Sequence, residues 1–241
     1  LSLKNARHLL ANQEQHLAQL VAERTRELAQ MQEATVLALT SLAETRNHES
    51  VSHILRIQHM VAALARHLSS QADYAHALDE RHIDFLYQAA ALHDIGMMAV
   101  ADHILLKPGK LDEAEFASVK LHTNHGRDAI NAVEHQFGQA TQFLHYARDI
   151  ALSHHEKWDG TGYPDQLAGE HIPLAARLMA VADVYDALIS KRIYKPAFSH
   201  EQAMRIMQDG RGSHFDPHIL DAFCAIEAQV QQIVQRFELA E

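Results

Sequence analysis

Residues Ala151–Pro164 read ALSHHEKWDGTGYP, and the rest of the 241-residue chain is organised around them. Two adjacent histidines, His154 and His155, precede Glu156, Asp159 and a Gly-rich turn that closes on Gly162-Tyr163-Pro164. Neighbours on a helix point about 100° apart, so two adjacent residues rarely serve one core position. A His-His pair running into a DG-x-G turn suggests ligands delivered at a helix end. Taken alone, such a pair is as readily an ordinary surface or core pair.

A second stretch, Ala90–Val100, reads AALHDIGMMAV. His93 and Asp94 follow small and apolar residues, which predicts a buried helix from Asp84 to Ile95 with Gly96 as its C-cap. A buried Asp costs several kcal/mol unless it is paired or metal-bound. A neutral His beside a carboxylate is a donor set for divalent ions. HD followed by IG, then HHExxDGxGYP downstream, is the motif order of the HD-GYP family. From about Thr45 to its C-terminal end the chain resembles that family.

Composition agrees with a helical protein. Hydrophobic residues make up 47%, enough for a core, while 9 Gly and 5 Pro are few for a turn-rich β fold. The expected fold is all-α, an HD-type helical bundle with a long N-terminal helix. The formal net charge of −10 argues against nucleic acid as a partner. An anionic substrate would need a local basic cluster against that field. Cys224 stands alone, which excludes an intramolecular disulfide and a Cys-based zinc site and points to a reducing, cytoplasmic compartment. No apolar run approaches a membrane span, and no signal peptide is visible. The chain begins at Leu1, which reads as a fragment of a longer protein.

Residues 1–44 contain neither Pro nor Gly. Leu3, Leu10 and Leu17 repeat every seven residues; Val21, Leu28, Thr35 and Leu42 continue on the adjoining position, interrupted at Arg24. Such heptads predict a coiled-coil linker helix that pairs with a second copy in a homodimer; one amphipathic helix folded on its own domain is the alternative. Residues 45–241 would form the catalytic domain. The helical pattern continues from Glu44 to Ser70, where Glu49 and His53 share a face at i and i+4. Residues 72–82 read as a loop. Helices are predicted over 112–133 with Asp112 as N-cap, about 139–155, Pro173–Ser190, 200–209 and 216–238. Lys107, Pro108, Gly109 and Lys110 form a turn between helices, with a phosphate-facing role as the other reading.

The resemblance implies a ligand set residue by residue. It matches His53, His93, Asp94, His122, His154, His155 and Asp183 to metal ligands, and adds Glu49 for a three-metal subtype. Asp186, one turn after Asp183, reads as an orienting or hydrogen-bonding residue. All the donors are N or O, which suits two or three ions of Fe or Mn, with Ni, Co or Zn possible. The family's activity would then be hydrolysis of cyclic di-GMP to pGpG or GMP by a metal-bridging hydroxide, with Asp94 bridging two ions. Arg192 and Lys195 match phosphate-binding residues, and on the bland account they only complement a helix dipole. Tyr163 would line the pocket. Such domains commonly follow a receiver or sensor domain. The family usually has HDIGK, and here Met97 stands at the Lys position, so one phosphate contact is lost unless Lys107 or Lys110 replaces it. Two rivals follow: another HD-superfamily nucleotide phosphohydrolase, and a module that binds cyclic di-GMP or a protein partner without turnover.

Overall fold

The computed structural model describes residues 3–47, 50–138, 141–191 and 197–238. Glu49, Arg192 and Lys195, expected as a metal ligand and two phosphate contacts, lie outside the described residues. Among the described residues the fold is all-α, with two isolated β-bridges and no sheet. The helices are α1 (Leu3–Asn47), α2 (Val51–Ser69), α3 (Ala72–Ala75), α4 (Glu80–Ala90), α5 (Asp102–Leu105) and α6 (Glu113–Lys120). They continue as α7 (His122–Phe137), α8 (Gln142–Ser153), α9 (Leu174–Ile189), α10 (His200–Asp209), α11 (Pro217–Ala225) and α12 (Glu227–Glu238). Two 3₁₀ turns, Ile95–Ala99 and Gly169–His171, join them.

The chain divides into two compact units, Leu1–Ala38 and Leu39–Glu241. The first is helical, and its Leu10, Leu17, Val21, Leu28 and Met31 are exposed. The second is a bundle around α2 and α9. On α2 the apolar residues Ile54, Ile57, Met60, Val61, Leu64 and Leu68 are fully buried at helical spacing. On α9, Ala175, Ala176, Leu178, Met179, Val181 and Ala182 are buried almost all round, as a central helix requires. α4, α9, α11 and α12 pack on α2, and α8 packs on α4, α7 and α9. No described helix is long and apolar enough to cross a membrane.

Local chemistry sets the boundaries and corrects several expectations. The pattern over Glu44–Ser70 is not one helix; Ser50 N-caps α2 through its side chain. The 72–82 stretch carries α3, and Asp79 caps α4 by accepting from His82 N at 2.8 Å. Asp112 does cap a helix, in a reciprocal box with Glu115. The 112–133 helix breaks between Lys120 and His122, and the 216–238 helix breaks at Ile226. Gly138, at φ 69°, ends α7 in the left-handed conformation open to glycine.

Candidate metal centre

The helix expected over Asp84–Ile95 ends at Ala90, and His93 and Asp94 lie in the turn beyond it. Gly96 is not a C-cap. It sits in the following 3₁₀ turn, where an added Cβ would lie 1.9 Å from the His122 carbonyl oxygen and 2.5 Å from Gly126 N. Backbone-to-backbone contact with α7 therefore takes the place of continued helix, and it carries Asp94 to the N-terminal end of α7. His122 opens that helix. α8 ends at Ser153, so His154 is its C-cap and His155 follows in the turn.

Two groups of donors result. Asp94, His122, His154 and His155 each offer one ligand atom, all within 4.8 Å of one another. His53, His93 and Asp183 do the same. Asp94 faces both groups: Oδ1 is 3.2 Å from His122 Nε2 and 3.5 Å from His154 Nε2, while Oδ2 is 3.8 Å from His93 Nε2. Seven of the eight expected ligands thus come together, and the eighth, Glu49, is the one outside the described residues.

The tautomers follow from the other ring nitrogen. His93 Nδ1 donates to Ala90 O at 3.0 Å, His122 Nδ1 to Val119 O at 2.8 Å and His154 Nδ1 to Ile150 O at 2.8 Å. A carbonyl only accepts, so Nδ1 carries the proton and a neutral ring presents an Nε2 lone pair. His122 Nε2 and His154 Nε2 then face each other at 3.5 Å and both face a carboxylate oxygen. Asp94 Oδ1 is buried with no hydrogen bond of good geometry. Lone pairs converging in a buried space repel unless a proton or a cation sits among them. Burial pushes the Asp94 carboxyl up, but with a proton on the facing imidazoles their charge and hydrogen bonds outweigh it and hold its pKa well below the ordinary value. Burial lowers the pKa of His122, and Asp94 in turn outweighs that and raises it. Burial, then His154, pushes His155 well below the ordinary imidazole value, which keeps it neutral and able to ligate.

Supporting residues lock these donors in place, as ligating histidines commonly require. His53 Nδ1 donates to Asp186 Oδ2 at 2.6 Å. Arg56 grips the same carboxylate, Nε to Oδ1 at 2.6 Å and its terminal nitrogen to Oδ2 at 3.0 Å. Burial works against the Asp186 charge, yet the His53 and Arg56 hydrogen bonds hold its pKa at about 2. Asp186 therefore orients His53, as its position one turn after Asp183 suggested. Arg56 was not anticipated, although its place one turn after His53 puts it on the same face.

Glu156 was also not anticipated. It is 2% exposed, and its carboxylate accepts from Asp165 N at 2.7 Å and Leu167 N at 3.1 Å. It fastens the Gly162-Tyr163-Pro164 turn from within. Gly162 has no room for a side chain, since a Cβ would lie 2.3–2.6 Å from backbone atoms of Lys157, Glu156 and His155. Tyr163 N donates to His155 O at 3.2 Å, and the Tyr163 ring lies 4.8 Å from that of His155. Burial and then the charges of Asp94 and Asp183 raise the Tyr163 pKa, so its phenol stays protonated. Lys107 Nζ pairs with both oxygens of Glu115, at 2.7 and 2.5 Å. Met97 is half-buried in the 3₁₀ turn.

The HD-domain family model matches residues 5–219. The chain belongs to the HD-domain family. It is 48% identical over 234 residues to a probable cyclic di-GMP phosphodiesterase of Vibrio cholerae serotype O1, covering 97% of this chain and 53% of that protein. It is 37% identical over 214 residues to the cyclic di-GMP phosphodiesterase response regulator RpfG of Xanthomonas campestris pv. campestris, covering 89% of this chain and 53% of the relative. The chain spans about half the length of these curated relatives. A crystal structure of the cyclic GMP-AMP-specific phosphodiesterase V-cGAP3 of V. cholerae shares the HD-domain fold. It matches with a TM-score of 0.56 at 18% identity, over 86% of this chain and 53% of that one.

Proposed function

We propose that this HD domain is a metal-dependent phosphodiesterase that opens cyclic di-GMP to linear pGpG, or further to GMP. The observation that carries the reading is Asp94, whose two oxygens face two separate sets of imidazole and carboxylate donors. Two divalent ions held by those sets would supply Lewis acidity to a phosphodiester and to an attacking water. His53, His93 and Asp183 would hold one ion, and His122, His154 and His155 the other, with Asp94 shared between them. Fe or Mn suits the donors best, while Ni, Co or Zn is compatible. Glu49 would add a third ion.

The chain's own residues do the remaining work. The Nδ1 hydrogen bonds fix each imidazole so that Nε2 points inward without reorganisation on binding. Asp186 and Arg56 do the same for His53. Tyr163, as a protonated phenol, offers a donor at the pocket wall, and Arg192 and Lys195 would meet substrate phosphates. A relative named for cyclic di-GMP is 48% identical, against 36% over 211 residues for a 3′3′-cGAMP-specific phosphodiesterase of V. cholerae, and that difference supports cyclic di-GMP over cyclic GMP-AMP.

The test is product analysis on protein loaded anaerobically with Fe²⁺ or Mn²⁺. Cyclic di-GMP and 3′3′-cyclic GMP-AMP are offered separately, beside mononucleotides. Appearance of pGpG or GMP supports the reading. Hydrolysis confined to mononucleotides removes it, and binding of cyclic di-GMP without product, which Met97 in place of a lysine would favour, replaces it with a sensory role. The exposed heptad residues of the N-terminal unit support a homodimer formed through residues 1–44, and the response-regulator relative supports an upstream receiver domain. The lone Cys224 supports a cytoplasmic location.

A further inference from the structure

A dianionic cyclic dinucleotide approaching a chain of net charge −10 needs a cation near the cluster. Met97 is uncharged; of the two expected replacements, Lys107 is neutralised by Glu115 and Lys110 lies exposed in the loop before α6. Lys120 is placed differently. It ends α6, two residues before His122, and among the described residues no ion pair holds it. Its Nζ lies 4.8 Å from the Phe116 ring centroid and 5.3 Å from that of Tyr163. Tyr163 in turn packs on His155 of the cluster. Two aromatic faces restrain a flexible ammonium without neutralising it, and leave its three N–H donors for an anion. Phe116 is 47% exposed, so Lys120 lies over a ring at the protein surface.

We propose that Lys120, steadied between Phe116 and Tyr163, is a substrate-binding residue that contacts a phosphate of the cyclic dinucleotide and replaces the charge missing at Met97. This rests on the cyclic di-GMP reading above. The alternative is a structural one, in which Lys120 only covers two rings.

The test compares metal-loaded wild type with Lys120→Ala and Lys120→Arg. The readouts are the Kd for cyclic di-GMP by rapid filter binding, kcat and KM from initial rates, metal content and Tm. Removing one charge-assisted phosphate contact is expected to weaken Kd and lower kcat/KM by about tenfold or more. Metal content and Tm should stay at wild-type values, and Arg should retain most of the affinity. A wild type that binds or turns over the dinucleotide while Lys120→Ala matches it overturns this inference and leaves the cyclic di-GMP reading standing. So does a Lys120→Ala protein that loses metal or Tm in step with its affinity. A wild type that neither binds nor hydrolyses the dinucleotide removes both.

Discussion

Asp186 and His53 are 133 residues apart in sequence, yet Oδ2 of one lies 2.6 Å from Nδ1 of the other. The pair is sealed from solvent, with Asp186 fully buried and Arg56 closing its other side. The bundle thereby stores a negative charge whose partners are Arg56, the candidate metal ligand His53 and the Ser190 hydroxyl.

Asp186→Asn keeps the shape and removes the charge. Arg56 is left as a buried cation without its carboxylate, a change that costs about 3–5 kcal/mol. His53 also loses the acceptor that fixes its ring. The expected outcome is a lower denaturant midpoint and the loss of about one metal equivalent, with the Asp94 group still loaded. Urea titration and elemental analysis check it; wild-type values in both would remove the orienting role of Asp186.

Metal removal should destabilise the domain. Lone pairs of His122, His154 and Asp94 converge at 3.2–3.5 Å, and a cation relieves that repulsion only in the folded chain. At a free metal concentration a hundred times Kd the stabilisation is about 2.7 kcal/mol, or roughly 5–10 °C in Tm. Thermal unfolding with and without chelator measures it. Coincident curves would mean that no ion binds the folded cluster.

Gly96→Ala tests the contact that brings Asp94 to α7. The new methyl meets the His122 carbonyl at 1.9 Å, which is backbone and cannot swing aside. The 3₁₀ turn must retreat, at a cost of about 1–3 kcal/mol, and carry Asp94 away from His122. Loss of metal from the Asp94 group and of hydrolysis is expected, with helix content by circular dichroism unchanged. Full metal occupancy in the variant would contradict this account.

Glu156→Ala leaves the backbone N–H groups of Asp165 and Leu167 without their acceptor, at about 1–3 kcal/mol. The turn that carries Tyr163 should loosen while the imidazole donors stay in place. KM for the dinucleotide is expected to rise with near-normal metal content. If instead metal is lost and KM is unchanged in the remaining active fraction, Glu156 belongs to the metal centre rather than to the turn.

Much of this was legible in the linear chain because the donors travel in short motifs. His93-Asp94, His154-His155 and Asp183 carry their chemistry in residue type and near neighbours, and helix periodicity placed α9 and α10 to within a residue. The helix ends near the site were less legible. His93 and Asp94 lie past the end of α4, because Gly96 meets the backbone of α7, and propensity along the chain holds no record of a segment 26 residues downstream. The N-cap at Asp112 is a local pattern, so it was visible; the break at Leu121 inside the same apparent helix was not.

The amino-acid sequence alone determined the all-helical class and, through its resemblance to a known family, which side chains stand as candidate cation ligands, since hydrophobic period and motif order are written along the chain. Only the tertiary structure decided that Asp94 faces two donor sets, that Asp186 and Arg56 hold His53, that Glu156 ties down the Tyr163 turn, and that Lys120 rather than Lys107 stands uncompensated beside the cluster. Those are contacts between segments distant along the chain, and which side chains meet there is set by how helices pack on α2 and α9, where every shift of a helix end changes the direction of the group it carries.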